Sequence, residues 1–150
     1  MLKRFMWTML AALILTGVPA VGQPEQAEAT TSVRHGAAVL ATQYHGRPYR
    51  MGANGPRAFD CSGLVRFAYR RHGLSLPRTA NAMYHSRKLR NIARGKARRD
   101  DVVFWVSGGN AYHVGLYLGG NRIIHTGDSR GVRVVKIWGH PTFKRPRALR

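Results

Sequence analysis

The strongest constraint on the fold of this 150-residue chain is a change in its hydrophobic pattern at Asp100. Before Asp100, apolar residues recur at the three- and four-residue spacing that is typical of amphipathic helices. After it, short runs rich in valine and isoleucine alternate with glycines, which favours strands joined by tight turns. Helices that come first and strands that follow predict an α+β fold, with N-terminal helices packed on an antiparallel β-sheet. The predicted strands are residues 102–106, 113–118, 122–125 and 131–137.

The first half of the domain is predicted to hold three helices. Thr31 or Ser32 can cap the first helix, and Asp60 opens the second. Clustered glycines and prolines between these two helices indicate an irregular loop. The predicted bounds are residues 31–44 for the first helix, 46–59 for the loop, 60–73 for the second helix and 79–86 for the third.

The N-terminal segment has the layout of a secretory signal peptide. Lys3 and Arg4 precede an almost unbroken apolar run over residues 5–18, and small residues follow it. A membrane-spanning helix needs about 20 apolar residues, so we expect cleavage after Ala20 and no stable membrane anchor afterwards; residues 27–29 form a second candidate cleavage site. The predicted organisation is a signal peptide at 1–20, a linker at 21–30 and one domain at 31–150, in a protein that is secreted or periplasmic.

Charge narrows the class of partner. The chain carries 25 Lys and Arg against 6 Asp and Glu, a formal net charge of +19 at pH 7. Such a charge attracts an anionic partner, and an exported protein meets envelope polymers rather than nucleic acid. Residues 87–99 hold seven basic residues and no acidic one; we interpret them as a solvated basic loop, with a dedicated polyanion-binding segment as the alternative. Asp100 and Asp101 would face opposite sides of a strand, which disfavours sugar hydrolysis by two facing carboxylates.

Cys61 is the only cysteine of the chain, so the chain can form no internal disulfide. It falls in the opening turn of the second predicted helix, where the positive end of a helix lowers the pKa of a thiol. Ser62 and Gly63 keep this turn small, and its backbone N–H groups can stabilise an oxyanion. This position predicts a nucleophile; the alternatives are an inert buried cysteine and an intermolecular link.

Two of the seven histidines are placed to act together. His113 and His125 lie on neighbouring predicted strands that the Gly119-Gly120 turn joins. Counting back from this turn places them almost opposite each other. One can therefore act as a base while the other orients it. The same two histidines with Cys61 would also make a plausible zinc site, and spacing alone leaves that open.

Residues 59–65 (FDCSGLV) resemble the nucleophile motif of the NlpC-type cell-wall endopeptidases, a papain-like family. The resemblance covers roughly residues 33–138, nearly the whole predicted mature chain. It departs from the family at residues 51–53 (MGA), where a Trp and two glycines are usual, and at residues 99–100 (RD), where Pro-Gly is common. The other matching motifs are residues 76–79 (LPRT), 101–105 (DVVFW), 113–119 (HVGLYLG) and 123–125 (IIH).

The resemblance implies a papain-like fold and a cysteine peptidase that cuts peptidoglycan stem peptides, typically after γ-linked D-glutamate. It carries the nucleophile onto Cys61, the base onto His113 and the orienting group onto His125, and it implies no metal and no other cofactor. A loop matching residues 46–49 brings a Tyr towards the active site in the family. The candidate substrate contacts are Tyr49, Asp60 and Ser62.

These expectations define the partners. We expect the protein to bind stem peptides and anionic wall polymers, to act as a monomer and to stay associated with the cell wall. The rival from another class is a cationic envelope-binding protein that uses an inactive hydrolase fold. A wall-degrading toxin with the same chemistry is a further alternative that the sequence does not separate from a housekeeping enzyme.

Overall fold

The computed structural model describes residues 36–147. The predicted signal peptide, the linker and the start of the first helix lie outside these described residues. Within residues 36–147, no helix is long and apolar enough to cross a membrane.

In the part of the chain that the structure describes, three α-helices precede six strands, which confirms the predicted α+β class. All neighbouring strands are antiparallel, in the order β1-β6-β2-β3-β4-β5. The described part of α1 is residues 36–42, α2 is Cys61–Arg71 and α3 is Ala80–Tyr84. The strands are β1 (Leu89–Ile92), β2 (Val102–Ser107), β3 (Asn110–Gly119), β4 (Arg122–His125), β5 (Arg133–Lys136) and β6 (Thr142–Pro146), with a 3-10 helix at Arg94–Lys96.

Asp60 fixes the start of α2. It has the extended backbone of an N-cap, and its side chain accepts a hydrogen bond of 2.7 Å from the backbone N–H of Gly63, which would otherwise lack an intrahelical acceptor. A Cβ atom on Gly63 would lie 2.0 Å from the carbonyl oxygen of Ala53. Only glycine therefore lets the 46–59 loop, which is irregular as predicted, pass over the first turn of α2.

The sheet is buried on both faces. Helices α2 and α3 pack against β3. Val102 and Phe104 of β2 belong to the core between the helices and the sheet, whereas Val103 and Trp105 belong to a smaller cluster on the other face. This alternation follows from the two-residue period of a strand, and it provides two apolar environments from one sequence run.

Two predictions about regular structure are wrong. Residues 89–92 within the predicted basic loop form β1, because Leu89 is buried and the segment pairs with β6. No strand was predicted at β6, because its positive charges obscure the alternation of apolar and polar residues. Arg145 of β6 is nevertheless buried, because Asp101 accepts from its Nε at 2.7 Å. In addition, α3 is shorter than predicted, with Thr79 as its cap.

Candidate active site

Cys61 is the first residue of α2 and is half-buried at the wall of a cavity of about 600 Å³. We call this the Cys61 cavity. All three predicted substrate contacts and the predicted base line it. Its lining comprises Tyr49, Met51, Gly52, Asp60, Cys61, Ser62, Arg78, Thr79, Ala80, Asn81, Ala111, Tyr112, His113 and Gly127.

The two predicted histidines contact each other directly. The Nε2 atom of His113 lies 2.9 Å from the Nδ1 atom of His125, so the remaining nitrogen of the His113 ring, Nδ1, is free of this contact. The register pairs Leu116 with Ile124, one position away from the predicted one. His125 therefore lies diagonally across from His113, and the two side chains share one face of the sheet.

Aromatic rings enclose the histidine pair. Trp138 stacks on Trp105 with ring centroids 4.1 Å apart, and the Nε1 of Trp105 donates to the carbonyl oxygen of Trp138 at 3.0 Å. The centroid of the Trp138 ring is 5.3 Å from that of His125 and 5.8 Å from that of His113. Burial, with a smaller contribution from the positive charge of Arg133, lowers the pKa of His113 to about 4. Both histidines are therefore neutral at pH 7, because burial and the His113 charge also lower the pKa of His125 to about 4.

The pKa of the Cys61 thiol differs from the sequence expectation. Burial and, secondarily, the negative charge of Asp60 raise this pKa above its usual value. Backbone N–H groups of Ser62, Val114 and Cys61 oppose the rise without cancelling it. The start of α2 is therefore not sufficient to ionise the thiol, and the free protein carries a neutral thiol and a neutral imidazole.

Asp60 is the centre of a hydrogen-bonded network that the sequence predicted only in part. Arg78 donates to both of its oxygens, at 3.0 and 2.5 Å, and also to the hydroxyl of Ser62 at 2.9 Å. The backbone N–H of Gly52 donates to it at 2.8 Å. Burial acts to raise the pKa of Asp60, but the bonds from Arg78, Gly63 and Gly52 outweigh it and lower that pKa. Arg78 stands in the matching motif at residues 76–79, but it was not predicted as a site residue.

Tyr49 is half-buried beside Cys61 and Asp60. Burial, followed by the charges of Cys61 and Asp60, raises the pKa of Tyr49 above 10.0. Its hydroxyl therefore stays protonated, and it donates a weak hydrogen bond to Sδ of Met51, another residue of the Cys61 cavity wall, at 3.8 Å.

The loop after β4 and the first residue of β5 contribute charged residues that were not predicted as part of the site. Asp128 binds both Arg130 and Arg133, with nitrogen–oxygen distances of 2.8 Å to each. This cluster lines a second cavity of about 480 Å³, which we call the His125 cavity. An acid that two arginines follow, two and five positions later, just after the His125 strand was the available signal. The cavity is lined by Tyr112, His113, His125, Gly127, Asp128, Arg130, Arg133, Val135 and Trp138.

The zinc site that the spacing of Cys61, His113 and His125 left open requires a cluster of ligating side chains. Over residues 36–147, no group of three or more His, Cys, Asp or Glu side chains is placed to hold a metal ion. Cys61 and His113 line the same cavity, and His113 in turn contacts His125.

The NlpC/P60 family model matches residues 46–146, a span of more than half of the chain that includes Cys61, His113 and His125. The chain belongs to the NlpC/P60 family. Probable endopeptidase p60 of Listeria innocua is 38% identical over 99 residues, which is 66% of this chain and 21% of that protein. Murein DD-endopeptidase MepH of Escherichia coli is 44% identical over 88 residues, which is 56% of this chain and 32% of that protein.

Solved NlpC/P60 domains share the fold. The crystal structure of the NlpC/p60 domain of peptidoglycan hydrolase SagA superposes with a TM-score of 0.65 at 31% identity, covering 73% of this chain and 95% of that chain. The NlpC/P60 chain described here thus spans about a fifth to a third of the two curated relatives, but corresponds to almost all of the SagA domain structure. The resemblance stated from the sequence motifs is confirmed.

Proposed function

We propose that this protein is a cysteine endopeptidase that hydrolyses amide bonds in peptidoglycan stem peptides, at γ-D-glutamyl linkages. One observation carries the proposal: the only thiol of an NlpC/P60 domain shares a cavity with His113, which is bonded to His125. The activities for which p60, MepH and SagA are named support the reaction class.

His113 acts as the base and later as the acid. In the tautomer that this mechanism requires, Nε2–H of His113 donates to Nδ1 of His125, 2.9 Å away, which leaves a lone pair on Nδ1 of His113. The thiol proton of Cys61 moves to this nitrogen as the sulfur attacks the substrate carbonyl. The resulting imidazolium protonates the leaving amine, so a thioester forms and the C–N bond breaks. Water, deprotonated by the same nitrogen, then hydrolyses the thioester and regenerates the thiol.

The opening turn of α2 stabilises the charge that develops on the carbonyl oxygen. Backbone N–H groups at the start of a helix lack intrahelical acceptors, and those of Cys61 and Ser62 already face the sulfur closely enough to affect its pKa. The protonated hydroxyl of Tyr49 is a further donor beside this position. A neutral donor suits an oxyanion because no charge must be desolvated before the reaction.

Asp60, Ser62 and Tyr49 contact the part of the substrate that stays on the sulfur. The Asp60–Arg78 ion pair holds the acid in place and compensates its charge beside the thiol. The bond preference comes from the family resemblance, whereas MepH is named a DD-endopeptidase. The departure at residues 51–53 lies in this cavity wall, so the choice of bond needs a direct test.

The test is the product spectrum from defined muropeptides. An uncross-linked stem peptide and a cross-linked dimer are incubated with the wild type and with Cys61→Ala, and the products are weighed by mass spectrometry. We expect the wild type to release the fragment that follows D-glutamate from both substrates, and Cys61→Ala to release nothing. Equal cleavage by both proteins would refute the thiol mechanism. Cleavage of the cross-link alone would refute the γ-D-glutamyl assignment, and binding without cleavage would favour the envelope-binding rival.

Export and retention on the wall are part of the proposal. A net charge of +19 favours adsorption to anionic wall polymers, and such adsorption is screened by salt. Sedimentation with purified walls should show less bound protein as the salt concentration rises. Retention that does not depend on salt would contradict the electrostatic account.

A further inference from the structure

The His125 cavity extends the Cys61 cavity past the histidine pair. The two cavities share Tyr112, His113 and Gly127, but Cys61 lines only the first and His125 only the second. The active cleft therefore continues on the side of His113 that is remote from the sulfur. A substrate long enough to cross the thiol has space on both sides of the base.

Asp128 is saturated by the two arginines of this cavity. Its carboxylate accepts five hydrogen bonds, three from Arg130 and two from Arg133, at 2.8 to 3.3 Å. A carboxylate offers about four lone-pair positions. Asp128 thus holds the arginine side chains in place and has no capacity left to bind a cationic group of a ligand.

The arginines keep donors in excess. Each guanidinium has five N–H groups; among the described contacts, Nη1 of Arg130 makes no bond to Asp128 and Nη2 of Arg133 makes one. The Arg133 side chain is only 16% exposed and is anchored further by the carbonyl oxygen of Gly131 at 3.2 Å. One acid against two arginines leaves one positive charge on the cavity wall. The complementary ligand group is an anion that can accept two hydrogen bonds.

The chemistry decides which half of the substrate reaches this wall. The acyl half is bonded to Cys61 in the intermediate, and the leaving amine must lie within hydrogen-bonding distance of His113 to be protonated. The residue that carries the leaving amine is thus adjacent to the His125 cavity. Apolar contact for its side chain is offered by Trp138, Val135 and the exposed ring of Tyr112.

We propose that the His125 cavity binds the leaving half of the substrate and selects a residue with a free carboxylate, which Arg133 and Arg130 hold. This inference rests on the proposed function, because it assumes that an amide bond is cleaved between Cys61 and His113. It assigns to the arginines of the β4–β5 loop a specificity role on the amine side of the bond.

The test compares two ligands that differ only in charge. The dipeptide γ-D-glutamyl-meso-diaminopimelate is prepared with free carboxylates on the diamino acid or with carboxamides, and its binding to full-length Cys61→Ala is measured by calorimetry. Hydrogen bonds to a charged group contribute about 1.5–3 kcal/mol, so the free acid should bind at least about tenfold more tightly. Equal affinities, or tighter binding of the amide, would overturn the inference.

Variants locate the preference in the cavity. Arg133→Gln, added to Cys61→Ala, should bring the affinity ratio close to one, and Arg130→Gln, at an exposed position that tolerates change, should lower it severalfold. Arg87→Gln removes an equal charge from an exposed site outside both cavities and should leave the ratio unchanged. An affinity ratio that is the same in all these proteins would overturn the assignment to Arg130 and Arg133. If Arg133→Gln does not fold, an unchanged ratio in Arg130→Gln would overturn it.

Cleavage of the same two dipeptides by the wild type is measured separately. If neither dipeptide nor a complete stem peptide is cleaved but the free acid still binds more tightly through Arg130 and Arg133, the cavity is an anion site and the proposed hydrolysis is wrong. If both are cleaved at equal kcat/KM and bind equally, the proposed hydrolysis stands and the inference is wrong.

Discussion

The two cavities that share His113 differ in the ratio of acidic to basic side chains in their walls. In the Cys61 cavity one acid, Asp60, is matched by one arginine, Arg78, and the acid is almost fully buried. In the His125 cavity one acid is shared by two arginines in a more exposed loop. The difference indicates that the first network holds the nucleophile in a fixed environment, whereas the second presents positive charge to a ligand.

The two sides also differ in how the chain builds them. Asp60, Cys61 and Ser62 are consecutive, and the helix cap sets their relative positions, while Arg78 and the backbone N–H of Gly52 hold Asp60 from outside the turn. His113 and His125 come from different strands, and Trp138 covers them from beyond β5. Substitutions on the first side should therefore act through one local turn, and those on the second through the register and the ring packing.

The largest effect is expected at the residue that both cavities share. His113→Gln retains a polar side chain but removes the base, and general acid–base catalysis contributes about 10²- to 10⁴-fold to a rate. We expect kcat for stem-peptide hydrolysis to fall about 10³-fold. His140→Gln, an exposed histidine on neither cavity wall, is the matched control and should retain the wild-type rate. A loss of less than tenfold in His113→Gln would mean that another group takes the proton.

A smaller effect is expected on the His125 side. His125→Ala removes the 2.9 Å contact that orients the His113 ring, and a hydrogen bond to a group that becomes charged contributes about 1.5–3 kcal/mol. We expect kcat to fall roughly 10- to 100-fold with little change in KM. His125→Asn can accept the same hydrogen bond and should recover part of the rate. Equal losses in the alanine and asparagine variants would indicate that His125 acts by packing only.

Matched arginine substitutions compare Asp60, which is bound by one arginine, with Asp128, which is bound by two. Arg78→Gln leaves Asp60 buried without its cation, so we expect a lower free energy of unfolding, by about 1–3 kcal/mol, and a further rise of the Cys61 thiol pKa. Arg130→Gln leaves Asp128 bound to Arg133 and should not change the melting temperature measurably. Thermal unfolding and the thiolate absorbance between pH 7 and 11 measure both effects. A larger loss of stability in Arg130→Gln would reverse the contrast.

The smallest effect concerns the acidic limb of the pH–rate profile. The base must be neutral, and burial lowers the pKa of His113 to about 4, so kcat/KM should rise with pH through about 4 and then level off. Positive charge from Arg133 also lowers the pKa of His113. Removing that charge in Arg133→Gln should raise the pKa of His113 and move the limb to higher pH by roughly a few tenths of a unit, because Asp128 and solvent screen the charge. A limb near pH 6.5 in the wild type would contradict the buried state of the pair.

The sequence predicts the Cys61 side better than the His125 side because its determinants are local. The cap at Asp60 and the small turn at Ser62 and Gly63 are visible in consecutive residues. The contact of His113 with His125 is predictable from the glycine turn, but the register is one position away. The turn is Gly120-Asn121 rather than Gly119-Gly120, with Asn121 at a positive φ of 58°, and the pairing shifts between Tyr117 and Gly119. Counting residues across a turn does not reveal such a shift.

Other features depend on tertiary contacts that no short pattern encodes. Arg78 reaches back over 18 positions to Asp60, and Arg145 is buried in β6 only because Asp101 lies beside it. The raised pKa of the Cys61 thiol likewise results from burial under the loop and the sheet, whereas its place at a helix start suggested the opposite. Local patterns thus identify the reacting groups, and packing determines their protonation.

The most direct measurement is the mass of the protein during turnover. The wild type is mixed with a stem peptide, quenched in acid within the first turnovers, digested and analysed by mass spectrometry. We predict that the peptide containing Cys61 carries the acyl half of the substrate as a thioester, while the free amine half appears in equal amount, and that His113→Gln forms neither. Hydrolysis at the wild-type rate with no adduct on Cys61, together with undiminished cleavage by Cys61→Ala, would contradict the account.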